Sequence, residues 1–323
     1  MTLVNAMANV ALVVALLMGT IGFAALSRRH GWLEAESARK LVHVALGVTV
    51  AAFPLLFSAR WPVWMLAGLA LGALLAPRLV PILRNGPGQA LHGVGRQSLG
   101  EMYFPLATAL VWHLFPGDWM RFSIPMLVLA TADATAALVR SKFGCSHYST
   151  LDGTKTWLGS LTFYSTAAIA TFFATIAWSD LPLAQAFMLA HLIGTLLMIV
   201  EALAWKGLDN LFIPVLGALQ MESLLGRETQ ALGTDVVIAT VLLLLCLLWR
   251  KRSTLDDSAV MGGALFGYIT FVVGGLHWVL APILVFLIYA VVPPLRRSTA
   301  ARPHNIYALI AVTSGGLFWI AVH

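Results

Sequence analysis

Long apolar runs separated by short polar connections organise the whole chain. Such runs occupy about residues 8–26, 41–57, 62–77, 100–115, 122–139, 157–178, 182–203, 210–226, 234–249, 259–275, 277–293 and 305–322. An α-helix needs roughly 20 apolar residues to cross the hydrocarbon core of a bilayer, and most of these runs come close to that length. One or two of the shortest fit a re-entrant or interfacial segment. The pattern predicts an all-α, polytopic transmembrane helical bundle of about 10–12 spans, without internal repeats.

Composition narrows the picture. Hydrophobic residues make up 59% of the 323 positions and charged ones only 11%, against about 25% charged in a soluble domain. Mean hydropathy is +0.86. This length is consumed by spans and connections, which leaves no room for a separate soluble domain of ordinary size. Cys145 and Cys246 form no metal-binding spacing and no disulfide framework.

The net charge of +6 is carried in short loops and reads as an orientation signal; no nucleic-acid partner is expected. No Lys or Arg precedes the first apolar run, while Arg28 and Arg29 follow it. That is the pattern of a retained first span with its N-terminus outside. Threading the remaining runs from this start puts only Arg60, Arg121 and Arg227 at outer ends. The other 17 of the 20 Lys and Arg residues fall at cytoplasmic ends. One missed span would scramble that asymmetry.

Ionisable groups inside a membrane are costly and become functional candidates by default. Four constellations stand out. In E-A-E-S-A-R-K-L-V-H-V, residues 34–44, the helical spacing puts Glu36, Arg39, Lys40 and His43 on one face. Arg39 and Lys40 alone fit a snorkelling basic collar. His43, a turn deeper, points instead to a phosphate or lipid-hydroxyl contact. In G-R-Q-S-L-G-E-M-Y-F-P, residues 95–105, Glu101 opens a span after a Gly-rich loop, where the helix dipole also favours an acid.

The third constellation is A-T-A-D-A-T-A-A-L-V-R, residues 130–140, followed by K-T-W-L-G-S at 155–160. Asp133 is the only charge inside its span, and the alanines around it admit a close neighbour. The segment from Ser141 to Thr156 reads as a polar loop ending at a helix start. There Lys155, Thr154 and Thr156 offer a cation, hydroxyls and open backbone N–H groups, the parts of a phosphate cradle. It is not a P-loop. The fourth is E-A-L-A-W-K-G-L-D-N-L-F-I-P, residues 201–214. Capping explains Asp209 and Asn210 but accounts poorly for Glu201.

All four fall at ends assigned to the cytoplasm by Lys and Arg alone. The carboxylates Glu101, Asp133, Glu201 and Asp209, with Lys155 and the basic residues Arg39, Lys40 and Arg140, have the chemistry of a Mg²⁺–nucleotide site. Carboxylate oxygens hold the metal and cations neutralise the transferring phosphoryl group. An ion-coupled transporter would place its acids nearer the bilayer midplane.

The motifs R-K-L-V-H, G-E-M-Y-F-P, A-D-A-T-A-A-L-V, K-T-W-L-G-S and E-(x)₇-D-N-L-F-I-P, in this order across about residues 35–220, resemble those of the phytol, farnesol and dolichol kinase family. The resemblance implies an integral membrane kinase that uses CTP and a divalent cation to phosphorylate a lipid alcohol at the cytoplasmic face. It implies nucleotide contacts from Asp133, Lys155, Thr156, Gly159 and Ser160, and polar roles for Glu101, Glu201, Asp209 and Asn210. Two positions depart from the family pattern: Ala132 stands where Gly is common, and Leu158 where Glu is common. From about residue 254 the Gly-rich text is similar to the opening of phytyl-phosphate kinase-like integral membrane proteins. The expected organisation is therefore a lipid-alcohol kinase-like domain over 1–230 and additional helices over 231–323.

The sequence thus points to a CTP-dependent kinase acting on a phytol-, farnesol- or polyprenol-type alcohol. Asp133 or His43 would serve as base, Lys155 would offset phosphoryl charge, and carboxylates would hold Mg²⁺. A phosphatidate cytidylyltransferase-like CTP enzyme and a membrane transporter are the alternatives.

Overall fold

The computed structural model describes residues 2–79, 99–253, 255–291 and 304–322. Of the cations counted above, Arg84, Arg96, Arg296, Arg297 and Arg302 lie outside the described residues. The elements are α1 (Leu3–Arg29), α2 (Ala35–Ala51), the single turn α3 (Phe53–Leu56), α4 (Trp61–Leu79), α5 (Gly100–Leu114) and α6 (Trp119–Phe143). A hairpin follows, β1 (His147–Thr150) and β2 (Gly153–Thr156). Then come α7 (Trp157–Trp178), α8 (Leu183–Leu203), α9 (Asp209–Leu224), α10 (Thr229–Trp249), α11 (Asp257–Gly274), α12 (Leu276–Val291) and α13 (Ile306–Val322).

This is an all-α polytopic membrane bundle. Among the described residues six helices, α1, α6, α7, α8, α10 and α11, are long and apolar enough to cross a membrane, and Trp61–Ala76 and Ile306–Gly316 are shorter apolar helices. The reason is backbone satisfaction: in hydrocarbon each N–H and C=O must be bonded within the chain, which a helix does locally. Several expected boundaries move; α1 begins at Leu3, α2 at Ala35 and α10 at Thr229, each ahead of its apolar run. The run at 41–57 breaks after Ala51 into the separate turn Phe53–Leu56, where Pro54 brings no N–H. The run at 122–139 lengthens to Trp119–Phe143.

That lengthened helix is irregular. Trp119–Ser123 and Leu129–Asp133 are wound as π-helix between α-helical segments. Pro125 cannot donate to the first bulge. Around the second, Thr131 Oγ1 donates to Leu127 O at 2.7 Å and Thr135 Oγ1 to Thr131 O at 2.9 Å. Side-chain hydroxyls competing for backbone carbonyls bend helices, and π-bulges recur at functional sites. Asp133 is the last residue of the second bulge.

The helices form two compact units. One takes Met1–Thr135, Phe173–Asp180 and Lys206–Leu225. Within it α5 packs on α4 and α9, and α2 on α1 and α6. Its aromatic centre is Trp112 against Phe122, with centroids 4.8 Å apart, and the Trp112 indole N–H donates to Ala59 O at 2.9 Å. The other takes Ala136–Phe172, Leu181–Trp205 and Gly226–His323. Within it α8 packs on α10 and α11, and α11 on α10, α12, α13 and β1. A polar chain ties three of its helices: the Tyr164 hydroxyl meets His191 Nδ1 at 2.8 Å, and His191 Nε2 meets Thr240 Oγ1 at 2.9 Å. Such ties are worth about 1 kcal/mol each in a membrane.

Candidate active site

In the first unit α2 presses onto the π-bulge of α6. A Cβ on Gly47 would sit 2.3 Å from Ala130 Cβ and 3.2 Å from Ala130 Cα, so only glycine permits this approach. Ala130, Ala132 and Ala134 are buried and keep the bulge narrow. One and two turns before Gly47, α2 carries His43 and Lys40. Lys40 Nζ donates to Asp133 Oδ2 at 2.8 Å, and His43 Nε2 lies 3.5 Å from the same oxygen and 3.4 Å from Leu129 O.

The expected common face of α2 therefore divides. Lys40 and His43 turn inward to Asp133, while Arg39 pairs with Glu36 at 2.6 Å on an exposed surface. The Glu36 carboxyl is held below its usual range mainly by the hydrogen bond from Arg39. The two pairs differ in weight. Lys40 and Asp133 side chains are only 7% and 18% exposed, and removing one partner of a buried pair costs about 3–5 kcal/mol. The Arg39–Glu36 pair, half exposed, belongs to the class worth about 0–1 kcal/mol.

Glu101 is exposed in the first turn of α5 and lies in the electrostatic surroundings of Arg39, as does Asp133. Asp209 opens α9 and its Oδ1 accepts the Asn210 N–H at 3.0 Å. The turn before it places Lys206 at φ 51° and Gly207 at φ 82°.

The second unit holds another partly buried lysine–carboxylate pair. Lys155 does not stand at a helix start in a polar loop, as its sequence suggests; it belongs to strand β2. Register pairs it with Tyr148 of β1. The side chain reaches the C-terminal end of α8, where Nζ donates to Glu201 Oε1 at 2.8 Å and also contacts the Glu201 carbonyl. Glu201 is 5% exposed. A cation at a helix C-terminus satisfies both the end carbonyls and the dipole, and its ion pair with the Glu201 side chain accounts for the acid that capping alone did not.

The helix start after the hairpin is also more occupied than expected. The Trp157 N–H donates to Ser146 O at 3.0 Å and the Gly159 N–H to Thr156 Oγ1 at 3.0 Å. Thr156 is thus the cap of α7, and a Cβ on Gly159 would crowd its hydroxyl at 2.8 Å. Ser160 is buried and shares a 2.7 Å hydrogen bond with the Tyr148 hydroxyl. The open N–H cradle read from the sequence is therefore largely closed by the chain's own groups. Arg140, half-buried on α6, packs its Cβ near Gly159. Leu158 is exposed and Ala132 fully buried.

Reasoning from the sequence brought Lys155 and Glu201 into the same candidate set, and likewise Lys40, His43 and Asp133. It missed Tyr148, whose ring lies 4.6 Å from that of Trp157 and whose phenol is pushed up by burial. An aromatic residue at the non-turn end of a short polar strand was the available signal.

The geometry acquires context from known proteins. The chain is 29% identical over 206 residues to a phytol kinase from Synechocystis sp., a match covering 61% of this chain and 82% of the relative. The chain is therefore similar to a phytol kinase over most of that relative's length. No family model matches the chain, and no solved structure does. The five motifs read in order from the sequence are consistent with that similarity, and both partly buried lysine–carboxylate pairs are built from residues of those motifs.

No three His, Cys, Asp or Glu side chains converge as a metal cage among the described residues. A magnesium ion arriving on nucleotide phosphates needs only one or two protein carboxylates, however, and the half-buried Asp133 and buried Glu201 have the donor chemistry for that.

Proposed function

We propose that the protein is a lipid-alcohol kinase that transfers the γ-phosphoryl group of CTP to a membrane isoprenoid alcohol of the phytol, farnesol or polyprenol type, at the cytoplasmic face. The observation that carries this reading is the match spanning most of a phytol kinase, in a chain whose motif residues form two partly buried lysine–carboxylate pairs.

The alcohol oxygen attacks the γ-phosphorus, a new O–P bond forms, the bond to the β–γ bridging oxygen breaks, and CDP leaves. The hydroxyl proton passes to Asp133 or His43, which share one small cluster. Lys155 offsets charge on the phosphoryl oxygens, and Arg39, Lys40, Arg140 and Asn210 are the remaining nucleotide-side candidates, since Thr156, Gly159 and Ser160 are engaged within the chain. Magnesium, held by one or two of Glu101, Asp133, Glu201 and Asp209, would supply charge neutralisation on the phosphates. The lipid chain remains among the apolar helices, so only its hydroxyl must reach the polar boundary.

The test is a detergent-solubilised assay with CTP labelled at either the γ- or the α-phosphorus, offered isoprenoid alcohols, diacylglycerol and phosphatidate. Label from the γ position in a lipid phosphate supports the kinase. Label from the α position in lipid would instead identify a cytidylyltransferase.

A further inference from the structure

The hairpin that carries Lys155 does not stand alone. It has four paired residues per strand, and an isolated two-stranded hairpin is marginal in water. Something must fix it, and the contacts that do so come from a distant part of the sequence.

Asp257, at the start of α11, faces Ser149 on β1. Its Oδ2 accepts from the Ser149 N–H at 3.2 Å and from Ser149 Oγ at 3.4 Å, and its own N–H donates to Ser149 Oγ at 3.3 Å. Three reciprocal hydrogen bonds thus join residues 108 positions apart. Helix capping does not explain Asp257, because Asp256 supplies the cap: its Oδ1 accepts from the Ala259 N–H and from Ser258 Oγ, both at 2.8 Å. Asp257 is 8% exposed, unlike the solvated Arg39–Glu36 pair.

Arg250, in the short turn after α10, completes the arrangement. Its Nη1 lies 3.6 Å from Asp257 Oδ1, and its guanidinium sits over the Trp157 ring, 4.5 Å from the centroid. A partly desolvated arginine over tryptophan is a favourable cation–π contact. Trp157 is the first residue of α7, directly after β2. Arg250 and Asp257 therefore hold the hairpin from both sides: Asp257 grips β1, and Arg250 grips the residue that follows β2. Lys155 lies between these grips, two residues before Trp157 and one residue pair along the ladder from Ser149.

We infer that Arg250 and Asp257 are positioning residues: the C-terminal segment clasps the β-hairpin and thereby fixes where Lys155 stands against Glu201. Its catalytic consequence rests on the kinase reading above; the clasp itself does not.

The experiment uses the full chain in detergent with Asp257→Ala, the near-isosteric Asp257→Asn and Arg250→Lys. It reads backbone hydrogen exchange over 147–156 alongside phosphoryl transfer. In Asp257→Ala the hairpin amides exchange about tenfold faster or more, the loss expected for charged hydrogen bonds, while α8 and the body of α11 keep their protection. Arg250→Lys lies between it and the parent chain. Turnover falls through kcat with little change in KM for the alcohol. If Asp257→Ala does not fold, Asp257→Asn carries the same comparison. Unchanged hairpin exchange would overturn the clasp whatever the activity. A loosened hairpin with full kcat would overturn the positioning role. A loosened hairpin in a chain whose parent transfers no phosphate would sink the kinase reading and leave the clasp standing.

Discussion

Lys40 and Asp133 lie 93 residues apart in the chain and meet at 2.8 Å, on two helices whose close approach depends on Gly47 against Ala130. Because both side chains are largely shielded from solvent, removing either one leaves the other without its partner. Asp133→Ala should therefore destabilise the protein by about 3–5 kcal/mol, measured by thermal or denaturant unfolding in detergent. Lys40→Met combined with Asp133→Leu should recover most of that loss, since no charge is then stranded, while leaving phosphoryl transfer abolished. A double variant as unstable as Asp133→Ala would show that the pair is not the source of the effect.

The Gly47–Ala130 contact makes its own prediction. Gly47→Ala adds a methyl group where no space exists, and overpacking of this kind costs about 1–3 kcal/mol. Ala130→Gly in the same chain should restore stability, because it removes the atom that the new Cβ meets. Failure of that rescue in an unfolding assay would mean that the helices cross differently.

Lys155 and Glu201 allow charge to be separated from packing. Glu201→Gln keeps the size and one acceptor but removes the negative charge beside Lys155. If Lys155 acts on the transferring group, Lys155→Ala should lower kcat by about 10²–10³, the scale seen when a preorganised electrostatic donor is deleted. Glu201→Gln should have a smaller effect. The check is γ-label transfer from CTP at saturating alcohol, and equal effects of the two variants would contradict the assignment.

How much of this could be read from the sequence depends on the kind of interaction. The helical architecture was legible because hydrocarbon leaves the backbone few alternatives. Lys40, His43 and Asp133 were legible as rare ionisable groups in apolar runs. The hairpin was not, because T-L-D-G-T-K-T has the polar composition of a loop, and its strands are set by docking through Ser149 and Tyr148. The π-bulge at Leu129–Asp133 was also hidden: threonine back-bonding leaves no periodic mark that distinguishes it from ordinary helix. The partner of Glu201 became visible only when β2 carried Lys155 back to the end of α8.

Tyr148 yields a pH prediction. Burial is the main cause that pushes its phenol up, so the folded protein favours the neutral form. For a group whose folded pKa is raised, the stability it contributes is complete below the unfolded value of about 10 and declines as pH rises above it. Alkaline titration of the parent chain minus Tyr148→Phe should show no phenolate absorbance from this residue until the fold opens. Tyr148→Phe should also cost about 1 kcal/mol through the lost bond to Ser160. Phenolate appearing near pH 10 with the fold intact would contradict this.

The orientation of the membrane domain can be tested with the two native cysteines. Cys145 is exposed between α6 and β1, whereas Cys246 is buried in α10. A membrane-impermeant maleimide therefore reports on one position without any engineered label. If the ends carrying 17 of the 20 Lys and Arg residues face the cytoplasm, intact cells should leave Cys145 unmodified, and permeabilised cells or inverted vesicles should modify it rapidly. Cys145→Ser should abolish labelling in both, which ties the signal to this side chain. Saturable CTP protection of Cys145 in inverted vesicles would further link that face to nucleotide binding, since Cys145 sits two residues before the hairpin that carries Lys155. Rapid labelling in intact cells would reverse the orientation and place Lys155 on the side of the membrane that lacks nucleoside triphosphates, which would end the case for a cytoplasmic kinase.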